Sequence, residues 1–122
     1  MKQRILVIDD DPDIIEIINF ILLEEGFDVI TATSGDEIVN RTTLNVDLII
    51  LDLRITGSSK TGAEICAHLK SQPATRDLPV IIVSAEPDIQ EIALKCGADA
   101  CVQKPFTIGQ LSEQVRHLLR AG

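Results

Sequence analysis

Aliphatic runs and helical spacings alternate along the chain. Runs of about four to eight apolar residues bounded by turn residues are typical of strands buried on both faces of a parallel sheet. Five such runs predict strands over residues 4–8, 27–32, 46–53, 80–85 and 100–103. The third run is the most continuously aliphatic and is expected at the centre of the sheet. The second is shorter and alternates with polar residues, which predicts an edge strand.

Between these runs the apolar residues recur at the three- and four-residue spacing of a helix face. The first helix is predicted over Pro12–Glu25, with Asp11 as its N-cap and Gly26 as its C-terminal stop. Its inner face is predicted to comprise Ile14, Ile17, Ile18, Ile21 and Leu22. The same reasoning predicts helices over residues 34–43, 62–71, 87–96 and 108–120.

Strands and helices that alternate in this order predict an α/β fold. Right-handed crossovers build a (βα)5 pattern into a doubly wound five-stranded parallel sheet. The length of 122 residues fits one domain, so we expect a single domain over residues 1–122 with no output domain in this chain. In such sheets ligands bind beyond the carboxyl ends of the strands.

The charge and composition narrow the classes of partner. A net charge of −8 with no basic stripe argues against direct binding of nucleic acid or of an anionic membrane. No signal peptide or apolar run near 18 residues is present, which favours a cytoplasmic location. The three cysteines lack the spacing of a zinc site and are expected to be small core residues.

Polar or charged side chains lie at the carboxyl ends of four of the five predicted strands. They are Asp9 and Asp10 after the first strand, Asp52 in the third, Ser84 in the fourth and Lys104 after the fifth. Carboxylate oxygens suit Mg²⁺, and a divalent cation, an ammonium and a hydroxyl together stabilise a transferring phosphoryl group. Asp52 stands alone between the acidic pair and the lysine, so it is the candidate nucleophile for forming an acyl phosphate.

Four motifs in order resemble those of the receiver domain of two-component response regulators. They are "LVIDDD", "DLIILDL", "VIIVSAE" and "VQKPF", and the resemblance covers about residues 3–120. It implies the flavodoxin-like strand order 2-1-3-4-5. It also implies that Asp52 accepts a phosphoryl group from a histidine kinase or a phosphotransfer protein, in a Mg²⁺-dependent reaction.

The resemblance assigns the metal site residue by residue. Asp10 and Asp52 match direct Mg²⁺ ligands, and Asp9 matches an acid that acts through a water molecule. The backbone carbonyl of Arg54 would complete the protein ligands.

The resemblance also assigns the phosphoryl site and its output. Ser84 and Lys104 match the groups that bind phosphoryl oxygens, and the Lys104–Pro105 bond matches one that is usually cis. Phosphorylation would draw in the loop after the fourth strand and change the surface of the fourth helix, fifth strand and fifth helix. A downstream protein target would read that surface, and a homodimer through it is a further expectation by analogy.

Three features depart from the family pattern. Cys101 occupies the position of the usual aromatic on the fifth strand, so the usual coupling of the hydroxyl to the output surface is not expected in its ordinary form. The usual Met-Pro after the phosphoacceptor is Ile55-Thr56, and the glycine before the third helix comes about two residues late. Arg54 and Glu86 lie two residues after Asp52 and Ser84, and we hypothesise that they pair across the site and slow attack by water.

Two other functions stay open as alternatives. A non-switching interaction module would keep the fold and the site without the conformational change, which Cys101 makes conceivable. A phosphatase or phosphotransferase is disfavoured, because Arg54 stands where a second aspartate would be expected. The main interpretation is a signalling domain that assists its own phosphorylation and dephosphorylation, rather than a metabolic enzyme.

Overall fold

Five parallel strands form one sheet in the computed structural model, which describes residues 2–35, 45–55 and 60–119. The strands are β1 (Arg4–Ile8), β2 (Asp28–Ala32), β3 (Leu48–Asp52), β4 (Val80–Ser84) and β5 (Ala100–Gln103). Their order is β2-β1-β3-β4-β5, with every neighbouring pair parallel. The predicted fold, its central third strand and its edge second strand are therefore confirmed.

Four helices lie in the described part of the chain. They are α1 (Pro12–Glu24), α2 (Gly62–Ser71), α3 (Ile89–Cys96) and α4 (Ile108–Leu119). The helix predicted over residues 34–43 falls almost wholly outside the described residues, as does the loop over residues 56–59. The other four predicted helices are confirmed in type.

The start of α3 differs from the prediction, which placed it at residue 87. The Ile89 N–H donates to the Glu86 carbonyl at 3.3 Å, which makes a turn, and the bond from the Ile92 N–H to the Asp88 carbonyl (3.1 Å) begins the helical pattern. Asp88 makes no side-chain capping bond. The chain therefore turns once before the helix begins.

The core has two layers, one on each face of the sheet. Successive strand residues point to opposite faces, so β3 sends Ile49 and Leu51 to one layer and Leu48 and Ile50 to the other. The first layer packs on α2 and α3, and the second packs on α1 and α4. All five β3 residues are buried, which holds the strand that carries Asp52 rigidly from both sides.

The inner face of α1 is narrower than the apolar spacing predicts. Ile18, Ile21 and Leu22 are buried, but Ile17 is 48% exposed beside the similarly exposed Phe20. The spacing identifies one face of the helix, whereas the width of its contact depends on how far α4 and the sheet reach around it. No helix in the described ranges combines the length and apolar character needed to cross a membrane.

The cysteines are core residues, as expected from the sequence. Cys66 and Cys96 are buried between α2 and α3, and Cys101 on β5 is half-buried against the same layer. Burial raises the pKa of the Cys66 thiol, with a further contribution from the nearby Cys96. Burial also raises the pKa of Cys101. Such thiols are poor nucleophiles at neutral pH.

A polar cluster fastens the amino-terminal end of β4. The Lys70 ammonium at the end of α2 donates to the Leu78 carbonyl at 2.7 Å, to Asp99 Oδ2 at 2.8 Å and to the Arg76 carbonyl at 3.3 Å. Asp99 Oδ2 also accepts from the Val80 N–H at 2.8 Å. This cluster joins α2, the loop before β4 and the turn before β5, at the end of the sheet away from the aspartates.

Candidate functional site

The three aspartates come together at the carboxyl edge of the sheet. β1 and β3 are neighbours, with Ile8 opposite Leu51, so Asp9 and Asp52 leave adjacent strands at the same level. Carboxylate oxygens of Asp9, Asp10 and Asp52 lie within 4.8 Å of one another. Asp9 is 2% exposed and Asp52 is 8% exposed, while Asp10 is half-buried. A cluster of this kind can supply the oxygen ligands of a divalent cation.

Lys104 reaches the cluster from the end of β5. Its Nζ lies 3.3 Å from Asp9 Oδ2 and 3.3 Å from Asp52 Oδ2. The backbone holds it there, because the Lys104 N–H donates to the Ser84 carbonyl at 2.8 Å. The Lys104–Pro105 peptide is cis, as the resemblance implies.

Each buried carboxylate also receives a backbone donor. The Asp11 N–H donates to Asp9 Oδ1 at 2.9 Å, and the Asp11 carboxylate in turn accepts from the Asp13 N–H at 3.0 Å. Asp11 thus caps α1, as predicted. The Arg54 N–H approaches Asp52 Oδ1 at 3.5 Å, which is a weak contact. Asp52 is therefore held less firmly by the backbone than Asp9 is.

The Asp52 carboxyl has a perturbed ionisation. Burial raises its pKa above the ordinary value, and the negative charge of Asp9 raises it further. The Lys104 ammonium opposes both effects through its charge and its hydrogen bond, and the Arg54 N–H also lowers the pKa slightly. Because the net direction is upward, added positive charge at this site would be favourable.

Ser84 faces the same site from the end of β4. It is buried, and its Oγ accepts a hydrogen bond from the Glu86 N–H at 3.1 Å. A cavity of about 320 Å³ opens here, lined by Asp52, Arg54, Ser84, Ala85, Glu86 and Lys104. The structure thus brings together the predicted carboxylates, the hydroxyl and the ammonium, and it places Arg54 at their edge.

Arg54 and Glu86 form an ion pair across the mouth of this cavity. The bond joins Arg54 Nε to Glu86 Oε1, and the two side chains are 84% and 26% exposed. The pairing hypothesised from the sequence is therefore confirmed. That the pair slows attack by water stays a prediction. The Glu86 carbonyl also accepts from the Gln103 side chain at 3.4 Å, a contact that the sequence did not indicate.

Sequence reasoning missed the part that Gly62 takes in the site. The sequence shows that this glycine comes about two residues later than in the family pattern, but it does not show that Gly62 contacts the segment after β3. The Gly62 N–H donates to the Leu53 carbonyl at 2.9 Å, so the first turn of α2 rests on the segment that follows Asp52. A glycine at the first position of a helix close to a strand-end aspartate is the signal that could have indicated this contact.

Comparisons with known proteins agree with the geometry. The DNA-binding response regulator MtrA of Mycolicibacterium smegmatis is 36% identical over 123 residues, covering 98% of this chain and 52% of that protein. The phosphate regulon regulatory protein PhoB of Escherichia coli is 36% identical over 125 residues, covering 98% and 53%. This chain therefore spans about half the length of the curated relatives it matches.

A solved structure and a family model give the same result. The signal receiver domain of a signal transduction histidine kinase from Syntrophus aciditrophicus superposes with a TM-score of 0.87 at 32% identity, covering 98% of this chain and 91% of that one. The family model described as the response regulator receiver domain matches residues 5–116. With the strand order and the aspartate cluster described above, these matches show that the chain belongs to the response regulator receiver domain family.

Proposed function

We propose that this protein is a phosphoacceptor switch in which Asp52 takes a phosphoryl group from a histidine kinase or a phosphotransfer protein. The observation that carries the proposal is the position of Asp52, which shares the Lys104 ammonium with Asp9 and lies within 4.8 Å of two other carboxylates. Membership of the receiver domain family supports the same role.

The reaction is an in-line transfer. An Asp52 carboxylate oxygen forms a bond to phosphorus while the bond from phosphorus to the donor imidazole nitrogen breaks, and the electron pair stays with that nitrogen. The product is an acyl phosphate on Asp52 and a free histidine on the donor. In hydrolysis, a water oxygen forms a bond to phosphorus while the bond from phosphorus to the Asp52 oxygen breaks, which releases inorganic phosphate and regenerates the Asp52 carboxylate.

The donor set fits Mg²⁺. Asp9 and Asp52 carry two negative charges against the positive charge of Lys104, and Asp10 adds a third carboxylate to the cluster. We assign Asp9, Asp10, Asp52 and the Arg54 carbonyl as the groups that hold the ion, with Asp9 acting through water. When bound, Mg²⁺ would neutralise the charge that develops on the phosphoryl oxygens.

The remaining groups act directly on the phosphoryl oxygens. Lys104 is proposed to bind one oxygen as an ammonium, for which its two carboxylate contacts already orient it. Ser84 is proposed to donate its hydroxyl to another, and its backbone is fixed beside Lys104 by the bond between the two residues. Both donors would stabilise the negative charge on the phosphoryl oxygens in the transition state, Lys104 from its present position and Ser84 after its hydroxyl turns toward the phosphoryl group.

The output is proposed to run through the loop that begins at Ala85. The Glu86 N–H contacts Ser84 Oγ, so movement of Ser84 toward a phosphoryl group alters the start of α3. The surface formed by α3, β5 and α4 would change and bind a downstream protein, or a second copy of the chain. We propose a single receiver domain over residues 1–122 that acts in the cytoplasm and makes no direct contact with nucleic acid or a membrane.

The test is the intact mass after incubation with acetyl phosphate and Mg²⁺. A phosphoryl mass is expected on the wild type and absent from both Asp52→Ala and an EDTA-treated sample. No added mass on a folded protein that binds Mg²⁺ would contradict the proposal.

A non-switching module is the second candidate, and one observation favours it. Cys101 is half-buried where the family has an aromatic, and a small thiol fills little of the space that a ring would fill. Amide spectra of the phosphorylated protein separate the two functions. The switch predicts shifts along α3, β5 and α4, whereas the module predicts shifts confined to the neighbours of Asp52.

A further inference from the structure

The backbone after Asp52 lies unusually close to α2. Gly62, the first residue of α2, is buried, and a Cβ added to it would lie 2.0 Å from the Asp52 carbonyl oxygen. The same Cβ would lie 2.7 Å from Leu53 Cα and 2.8 Å from the Asp52 carbonyl carbon. Contacts below 3.0 Å are essentially never made by real Cβ atoms, and here all three neighbours are backbone atoms. No side chain fits at this position unless the backbone moves.

We propose that Gly62 is a positioning residue for the phosphoacceptor segment. Its missing side chain lets the first turn of α2 rest directly on Asp52 and Leu53, and this contact holds the Asp52 carboxylate and the Arg54 carbonyl where they bind a divalent cation. The inference rests on the proposed function of Asp52 and adds to it a group outside the charged cluster.

Both sides of the contact are held in place. On the helix side, Thr61 Oγ1 accepts from the Glu64 N–H at 3.2 Å and the Glu64 carboxylate accepts from the Thr61 N–H at 2.9 Å. Ile65, one turn further, is fully buried. On the strand side, Asp52 still pairs with Val83 in the sheet. The helix and the strand therefore both resist a shift.

The segment just beyond the sheet is the part that can give way. An alanine at position 62 requires a separation of about 1 Å or more at the Asp52 carbonyl. The Gly62 N–H bond to the Leu53 carbonyl lies in the same place and would be strained or broken. Leu53 and Arg54 would then move, and functional groups must stay within about 0.5 Å of their working geometry.

Gly62→Ala is the test variant and Gly109→Ala is its matched control. Gly109 lies in the first turn of α4, and a Cβ there would meet only Thr107 Oγ1, at 4.0 Å. The probe is Mg²⁺ alone, titrated by calorimetry. Gly62→Ala is expected to weaken Mg²⁺ binding roughly ten- to hundredfold, as loss of supporting contacts around metal ligands does. Gly109→Ala is expected to stay within about twofold of the wild type.

Metal-free amide spectra supply the second readout. In Gly62→Ala the Asp52 and Arg54 amides are expected to shift, while the β2 and α4 amides stay in place. Thr61→Ala is a further control, because it loosens the start of α2 without adding an atom at position 62. It is expected to lower the unfolding midpoint and leave Mg²⁺ affinity within about twofold.

Each outcome decides the matter. A folded Gly62→Ala protein with wild-type Mg²⁺ affinity would overturn the inference, since α2 would then have moved away without disturbing the site. If the variant is unfolded in buffer, the titration is repeated in trimethylamine N-oxide, which favours the compact state. A Gly62→Ala protein that stays unfolded in trimethylamine N-oxide would also overturn the inference, because the contact of α2 with Asp52 and Leu53 would then be a requirement for folding and not a device that positions the metal ligands. A wild type that binds no Mg²⁺ would instead refute the proposed function.

Discussion

The Arg54 guanidinium and the Glu86 carboxylate are joined by an ion pair across the mouth of the cavity that contains Asp52. If Asp52 is phosphorylated as proposed, we expect the attacking water to approach the phosphoryl group through this cavity. Exposed ion pairs are worth at most about 1 kcal/mol, so the pair opens frequently. It can therefore slow hydrolysis only by a modest factor.

Arg54→Ala is expected to shorten the lifetime of phosphorylated Asp52 by about two- to fivefold, the rate equivalent of up to about 1 kcal/mol. The lifetime is measured as the loss of the phosphoryl mass with time. Glu86→Ala is expected to have a similar effect, and the double variant no more than either alone, because the two residues act as a unit. Arg76→Ala, on the exposed loop before β4, is the control. An unchanged lifetime in Arg54→Ala would contradict the hypothesis.

Lys104→Met is expected to destabilise the fold by about 2–4 kcal/mol at pH 7 without Mg²⁺. The substitution leaves two buried carboxylates without the ammonium that lies 3.3 Å from each. The loss is measured by urea denaturation and should shrink in acid, where Asp52, whose pKa is raised in the folded state, becomes protonated. Lys95→Met removes an exposed lysine that pairs with Glu91 at 3.6 Å, and it should cost under about 0.5 kcal/mol. Equal effects of the two variants would argue against this account.

Asp52→Asn is expected to stabilise the metal-free protein at pH 7, because it removes a buried negative charge that Lys104 compensates only in part. The pKa of Asp52 is raised in the folded state, chiefly by burial and then by Asp9. Between the ordinary value of 3.8 and the raised folded pKa, the folded state binds more protons than the unfolded state. Wild-type stability therefore falls as pH rises through this window, and the penalty persists above it.

The gain from Asp52→Asn should consequently vanish below pH 3.8, where Asp52 is protonated in both states. Urea midpoints across the pH range test this sign. Asp77→Asn, in the exposed loop before β4, provides the control for loss of one negative charge. Addition of Mg²⁺ should reverse the order, because only the wild type retains the Asp52 carboxylate that is proposed to hold the ion.

Lys70→Met is expected to cost about 2–3 kcal/mol of unfolding free energy. The ammonium satisfies two carbonyls and the Asp99 carboxylate, and charged hydrogen bonds of this kind are among the stronger ones. Phosphorylation by acetyl phosphate should be unaffected, since the cluster lies at the other end of the sheet. A variant with wild-type stability and slower phosphorylation would contradict both statements.

Much of the fold is predictable from the sequence because its signals are local. The aliphatic run at β3 reports burial on both faces, and Asp11 followed by Pro12 marks the start of α1. The site is predictable as well, since parallel strands bring Asp9, Asp52 and the residues after β5 to one edge.

The features that were missed depend on contacts between distant segments. The exposure of Ile17 depends on how far α4 extends around α1. The spacing of apolar residues within α1 carries no information about that. The role of Gly62 depends on a backbone contact with residues ten positions earlier. Both the exposure of Ile17 and the contact of Gly62 depend on three-dimensional packing, so the sequence pattern alone could not predict them.

The Lys70 cluster has a mechanical consequence for signalling. It ties the first residue of β4 to α2 and to the turn before β5, while Ser84 ends the same strand at the reactive edge. β4 is buried along its whole length and pairs with β3 on one side and β5 on the other, so a strand tied down at Val80 has little freedom to slide within the sheet. If the domain switches as proposed, a displacement at Ser84 would therefore pass into the segment between β4 and α3, while the five-stranded sheet stays in place.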